Sequence, residues 1–400
     1  MKKRISIILI LCMLFLGGCA GDQIVQEQTP VAEEKTAPMN SPWGESATVQ
    51  KEFERIAGAS KLGMTSGQEL LLLDYMERYY QSIGSLDIVA IRDLFATEQE
   101  AAFHRCIWRS IVAIRQAARE DLSLTGYSYT LMADKMDVES EGICTVVLLE
   151  NNVQYFAALD GVPSEQWKVK HTFTIQRLTG DRWVIKSHLS EDAPFYSASY
   201  DAVSDTDLNL DALLGYAATR CDSNDTTAQT GIYFDHLYDR GAAKTFMLQY
   251  VTRRDGRYPA YDDAGGNCMN FGSQVLLAGG IPMDRSGPIE QCWYNYGRGR
   301  LTKSFINVGS FLDYAAENTG TGLVAQVGAD YDTGEIGDII TMGLKSADDH
   351  TTVICDVLRD GEGAFLDYLL CSNTANLRNF PAGAYYYTNQ QLTKILGWND

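Results

Sequence analysis

Cys268 lies between a glycine pair and a helical period in the stretch GGNCMNFGSQVLLAGG, residues 265–280. Phe271, Val275, Leu276 and Ala278 keep the three-and-four spacing of one helix face, and Gly279 and Gly280 end the run. Cys268 therefore sits at, or within a residue of, a helix N-terminus. Unpaired backbone N–H groups and the helix dipole there favour thiolate over thiol. The same N–H groups can receive an oxyanion during acyl transfer, and Gly265 and Gly266 leave room for a substrate backbone. On these residues alone three fates stay open for Cys268: a nucleophile, a buried core thiol, or half of a disulfide.

A nucleophile of this kind needs an imidazole, and beyond residue 230 the chain offers His236 and His350. His350 opens HTTVICDVLRDGEGAFLDYLLCSN, which reads as two strands about the turn Asp360-Gly361-Glu362-Gly363. A hairpin symmetric about that turn sets His350 opposite Asn373. Directly opposed side chains share a face with Cβ atoms roughly 5 Å apart, so an amide there can hold one ring nitrogen and aim the other. Cys268, His350 and Asn373 would then divide attack, proton transfer and orientation between them. A one-residue slip would turn Asn373 to the other face and bring Ser372 or Asp356 into consideration. In the symmetric register Cys355 opposes Tyr368, which leaves Cys371 on the other side and beyond disulfide reach; both are expected as packed thiols.

The elements that must position these groups begin well upstream. Residues 66–94 are helical in period, interrupted at the SIGS of residues 82–85, and a second helix is expected over 98–119. The period then changes to two: residues 127–139, 142–159 and 167–192 read as antiparallel strands, the last a hairpin turning at Thr179-Gly180-Asp181. Helices followed by a meander make an α+β unit over 51–200, similar in layout to the SnoaL-like or nuclear-transport-factor-like cone. His171 and His188 fall in its strands and are expected as surface or core histidines, since no acid or nucleophile pattern accompanies either. A joint follows over 201–230. Its DTDLNLD stretch alternates oxygen ligands, but Leu210 and Tyr216 stand where a calcium loop needs glycine and glutamate. GTGLVA at 320–325 follows a helix rather than a strand and is expected as a turn, not a nucleotide loop.

Residues 235–400, within a domain expected over 231–400, carry a more specific resemblance. YDRGAAKTFMLQYV, YPAYDDAGGNCMNFGSQVLLAGGIPM, the following Trp293-Tyr294, GDII, His350 and SNTANLRNFP are similar to the putative amidase domain family of exported bacterial proteins, related to NlpC-type and CHAP cell-wall cysteine hydrolases. The resemblance implies a papain-like α+β domain with its nucleophile helix on a small antiparallel sheet, hydrolysing amides through Cys268 and His350. It places Asn267, Gly266 and Trp293 in the oxyanion and substrate-binding surroundings. The family usually has aspartate where this chain has Asn267, and HT then aspartate where this chain has Asn373-Thr374 and Asn376. Asn373 as third catalytic member can orient His350 but cannot stabilise imidazolium by charge.

The N-terminus supplies the compartment. Lys2-Lys3-Arg4, an apolar run from Ile5 to Leu16 and Gly17-Gly18 before Cys19 make a secretory signal, residues 1–19, and LGGC resembles a bacterial lipobox with Cys19 as the lipidated residue. Residues 20–50, rich in Gln, Glu, Thr and Pro, are expected as a disordered tether. Removing the three signal cations takes the formal charge from −19 to −22, so a nucleic-acid partner is disfavoured. Seven of the nine cysteines lie beyond the lipobox, an odd number that flags a reactive thiol in an exported chain. With no C-x-x-C pair, no zinc ribbon is expected, and no metal or cofactor. The expected protein is thus an extracytoplasmic, lipid-anchored amidase whose membrane contact is the lipid and whose substrate is peptidoglycan or peptide. The alternative is a catalytically weak cell-wall or protein-binding module.

Overall fold

The computed structural model describes residues 56–204, 215, 232–262, 266–343, 346–387 and 389–400. The signal, Cys19 and tether expected at residues 1–50 lie outside these, as do Gly265, Cys221 and most of the 201–230 joint with its DTDLNLD stretch.

The first part opens with α1 (Ser66–Ser85) and α2 (Glu98–Gln116). Thr65 starts α1 through a capping box: its hydroxyl accepts from the Gln68 N–H, while the Gln68 side chain accepts from the Thr65 N–H. Thr97 caps α2 through its hydroxyl, which accepts from the Glu100 N–H. The change of period is obeyed as β1 (Leu124–Ser140), β2 (Ile143–Phe156), β3 (Ser164–Thr179) and β4 (Arg182–Ser190), paired in sequence as an antiparallel meander. The helix α3 (Ala193–Ser204) closes this part. The apolar faces of α1 and α2, among them Tyr75, Met76 and Trp108, meet Val146, Phe173 and Ile185 of the sheet in one core.

The second part comprises β5 (His236–Leu237), α4 (Arg240–Tyr250), α5 (Cys268–Ala278), α6 (Lys303–Ile306), α7 (Val308–Glu317), β6 (Gly322–Ala329), β7 (Ile339–Gly343), β8 (His350–Arg359), β9 (Phe365–Ser372), β10 (Leu377–Pro381) and β11 (Asn389–Asn399). The GTGLVA stretch corrects the expected turn: its last four residues open β6, which pairs with β11. Gly322 permits this entry, because its φ is +93° and a Cβ would lie 2.9 Å from Asp284 and from the Tyr314 hydroxyl. Asp338 ties three elements together. Its carboxylate accepts from Arg240 of α4 at 2.8 Å, from the Ile395 N–H of β11 at 3.0 Å and from the Glu335 N–H at 2.9 Å, and burial still holds its carboxyl above the usual range.

The architecture is α+β with a large antiparallel sheet in the order β1-β2-β3-β10-β9-β8-β7-β11-β5, with β4 on β3 and β6 on β11. The two parts share that sheet at β3 and β10, where Leu377 faces Gln166 and Arg378 faces Glu165. Asn376 reinforces the seam from both ends, its carbonyl accepting from the Trp167 N–H at 3.0 Å and its amide donating to the Trp167 carbonyl at 3.1 Å. An aspartate at 376 would lack the second bond.

Candidate active site

Cys268 is the first residue of α5, as its spacing requires, and it is only 8% exposed. The Thr351 and Met269 N–H groups, the Thr374 hydroxyl and its own N–H act on its sulfur to lower the thiol pKa. Thr374 is held for this, since its oxygen accepts from the Asn267 N–H at 2.8 Å. Gly266 makes room for that arrangement: its φ is +105°, and a Cβ would stand 3.0 Å from the Thr374 oxygen. These donors favour thiolate, yet burial outweighs them and raises the thiol above its ordinary range. The expectation of a thiolate preformed by the helix start is corrected by that balance. Iodoacetamide alkylation of Cys268 is accordingly expected to be slow at pH 6 and to climb through the ordinary thiol pKa of ~8.5, read by mass spectrometry of the Cys268 peptide. A fast plateau at pH 6 would contradict the balance.

His350 opens β8, one residue before Thr351, and is 6% exposed. Burial lowers its pKa to about 4, so the imidazole is neutral at pH 7. Its ring lies 6.1 Å from those of Tyr385 and Tyr387. The Ser372 oxygen is 3.5 Å from Nε2, at the outer limit of a hydrogen bond, and 3.3 Å from the Thr351 carbonyl. With its one proton given to that carbonyl, Ser372 can only accept from His350, which puts the ring proton on Nε2 and leaves Nδ1 as the basic nitrogen.

Asn373 does not take the orienting role expected of it. The β8–β9 loop runs over five residues, 360–364, because the Asp360 carboxylate accepts from the Glu362 and Ala364 N–H groups and the Asp360 N–H reaches the Ala364 carbonyl. That moves the register by one: Val353 faces Cys371 and Ile354 faces Leu370. Asn373 falls in the turn after β9. Its amide donates to the carbonyls of Tyr250 at 3.1 Å and Val251 at 2.9 Å, and its oxygen accepts from the Asn267 amide at 3.0 Å. Asp356, the other residue a slip brings into consideration, is exposed and pairs with Lys244.

The remaining expected residues divide in the same way. Asn267 is fully buried, its oxygen accepting from the Tyr261 N–H and the Asn270 amide, so it anchors the entry to α5 and cannot contact substrate. Trp293 is also core: it donates to Ser273 of α5 at 3.1 Å and lies against Phe305 and Tyr314, behind the helix rather than at its mouth. Cys355 is a bulge residue between the Ile354 and Asp356 pairs, so it faces Cys371 after all. The two buried thiols are free, and burial first, then the Cys371 thiol, hold Cys355 well above its ordinary range.

Thus Thr351, at the start of β8, and Thr374 act on the Cys268 sulfur, while Ser372 is within reach of His350, the residue before Thr351. Residues 237–396 match the putative amidase domain family. No curated protein and no solved structure matches the chain. The putative amidase domain therefore contains both Cys268 and His350, and the match points to hydrolysis of amides. Three consecutive tyrosines, Tyr385 to Tyr387, were the sequence signal for the aromatic wall of this site. Tyr385 and Tyr387 flank His350, while Tyr386 turns into the core of the first part.

A second polar cluster lies inside the first part. Glu150 accepts from His171 Nε2 at 2.9 Å and from the Tyr80 hydroxyl at 2.5 Å; His171 Nδ1 is 3.0 Å from His188 Nε2; His188 Nδ1 is 2.8 Å from the Tyr75 hydroxyl, which is 3.2 Å from His104 Nδ1. His171 and His188 are core histidines, as one of the two expectations has it, but they are accompanied by an acid. Glu150 lies diagonally across the β2–β3 pair from His171, whose direct partner is Leu148.

Proposed function

We propose that the protein is an exported, lipid-anchored cysteine amidase acting on the peptide amides of peptidoglycan. Cys268 attacks the carbonyl carbon, its proton passes to His350 Nδ1, and the C–S bond forms as the carbonyl π pair moves to oxygen. Collapse breaks the C–N bond while His350 returns the proton to the leaving amine. Water, activated by the same imidazole, then hydrolyses the thioester and restores the thiol.

The observation that carries this reading is the placement of Cys268 at the start of α5, where the N–H of Thr351, the residue after His350, acts on its sulfur. A core thiol has no use for polar groups gathered at a helix start against the strand that a neutral buried imidazole opens. Because the resting pair is neutral, proton transfer accompanies attack rather than preceding it. The LGGC stretch supports the anchor, and the anchor selects cell-wall amides as the substrate within reach.

Digestion of purified peptidoglycan by the full chain tests the proposal, with fragment masses compared between wild type and Cys268→Ala. The wild type is expected to release fragments ending in a new amine or carboxylate, and the variant to lose at least about 10³-fold in rate. Identical profiles would remove this substrate. A second reading, a weakly catalytic binding module, is favoured by the low exposure of both Cys268 and His350; pull-down of peptidoglycan without release of fragments is the result that would select it.

A further inference from the structure

The Tyr385 hydroxyl is buried yet has no hydrogen-bond partner among the described residues. A native core rarely leaves a phenol unpaired, because the group loses its water contacts and gains nothing in return. Its ring is fixed on three sides: edge-on to Phe380 at 5.3 Å, beside Tyr387 at 6.3 Å and beside His350 at 6.1 Å. Tyr387, Asp192, Cys268 and Cys371 all act electrostatically on this hydroxyl.

We propose that the Tyr385 hydroxyl donates a hydrogen bond to the oxyanion formed when Cys268 attacks an acyl carbonyl. The inference rests on the Cys268 reading above and adds a catalytic residue to it. An unpaired donor in a water-poor site waits for a partner, and the developing negative oxygen is the partner this site would create. No proton is transferred from Tyr385. The thiol proton goes to His350, the C–S bond forms, the π pair becomes the oxyanion, and the phenol only stabilises it. Burial keeps the phenol protonated, raising its pKa well above the ordinary range.

Two reactions at the same sulfur separate this role from a structural one. Acylation by p-nitrophenyl acetate passes through an oxyanion, whereas alkylation by iodoacetamide does not. In Tyr385→Phe the burst of p-nitrophenolate is expected to slow by about 10²-fold while the alkylation rate of Cys268 stays unchanged. The thermal midpoint should equal or exceed that of the wild type, since only an unpaired oxygen is removed. Acylation within twofold of wild type overturns the inference, and so does a parallel fall of both rates. Cys268→Ala distinguishes the deeper failure: a wild-type burst that survives in this variant, or no burst at all, overturns the nucleophile reading and Tyr385's role with it.

Discussion

Asn373→Asp is expected to destabilise the protein by about 3–5 kcal/mol, a fall in thermal midpoint on the order of 10 °C, rather than to sharpen a catalytic triad. The Asn373 amide donates to the Tyr250 and Val251 carbonyls at the end of α4, and its oxygen takes the Asn267 amide at the entry to α5. Arg254 closes the arrangement by donating to the Asn373 carbonyl at 2.7 Å and the Asn376 side chain at 2.8 Å. An aspartate keeps the acceptor and removes both donors. It sets a carboxylate against two carbonyl oxygens at a buried position. The same accounting explains Asn267, whose amide donor faces an amide oxygen; the two asparagines are a matched pair, and neither is a weakened aspartate. If Asn373 instead oriented His350, the aspartate variant would fold normally and keep or raise activity. Thermal melts and alkylation of Cys268 in Asn373→Asp and Asn373→Ala decide between these outcomes.

Local periodicity made the helices, the β1–β4 meander and the helix start at Cys268 legible, because each is decided by side chains within a few positions of one another. What escaped depends on a single added residue or on non-local pairing. Ala364 enters the β8–β9 loop because the Asp360 carboxylate can cap two N–H groups, and that one residue removes Asn373 from His350 while bringing Ser372 to it. The bulge at Cys355 brings it to face Cys371. Trp293 beside a catalytic helix is indistinguishable in sequence from a substrate-lining aromatic until Ser273, Phe305 and Tyr314 are seen to surround it. Glu150 and His171 meet on a diagonal between strands whose register no composition rule supplies.

Acidification from pH 7 to pH 5 is expected to destabilise the fold, and the buried histidines set the direction. Burial lowers His104 to about 3 and His350 to about 4, and holds His188 well below its ordinary value, against ~6.5 in the unfolded chain. A folded value below the unfolded one means that the unfolded chain binds more protons in the interval. Stability is therefore complete above ~6.5 and falls as the pH drops toward the folded values, by up to about 1.4 kcal/mol per pH unit for each imidazole. Asp192 and Asp338, raised by burial, act in the opposite sense and offset part of this slope. The hydrogen-bond chain gives the structural reason. With Glu150 as a carboxylate, His171 donates to it, His188 donates to His171, Tyr75 donates to His188 and His104 donates to Tyr75. Protonating His188 would point two N–H groups at the Tyr75 oxygen and leave the phenol proton without an acceptor. His104→Phe removes one titrating group from a pocket already lined by Phe95, Phe103 and Phe195 while Tyr75 keeps its bond to His188. In urea melts at pH 7, 6 and 5 this variant should show a slope of stability against pH that is shallower than wild type by up to about 1.4 kcal/mol per unit. An unchanged slope would mean that His104 is not held neutral by the fold.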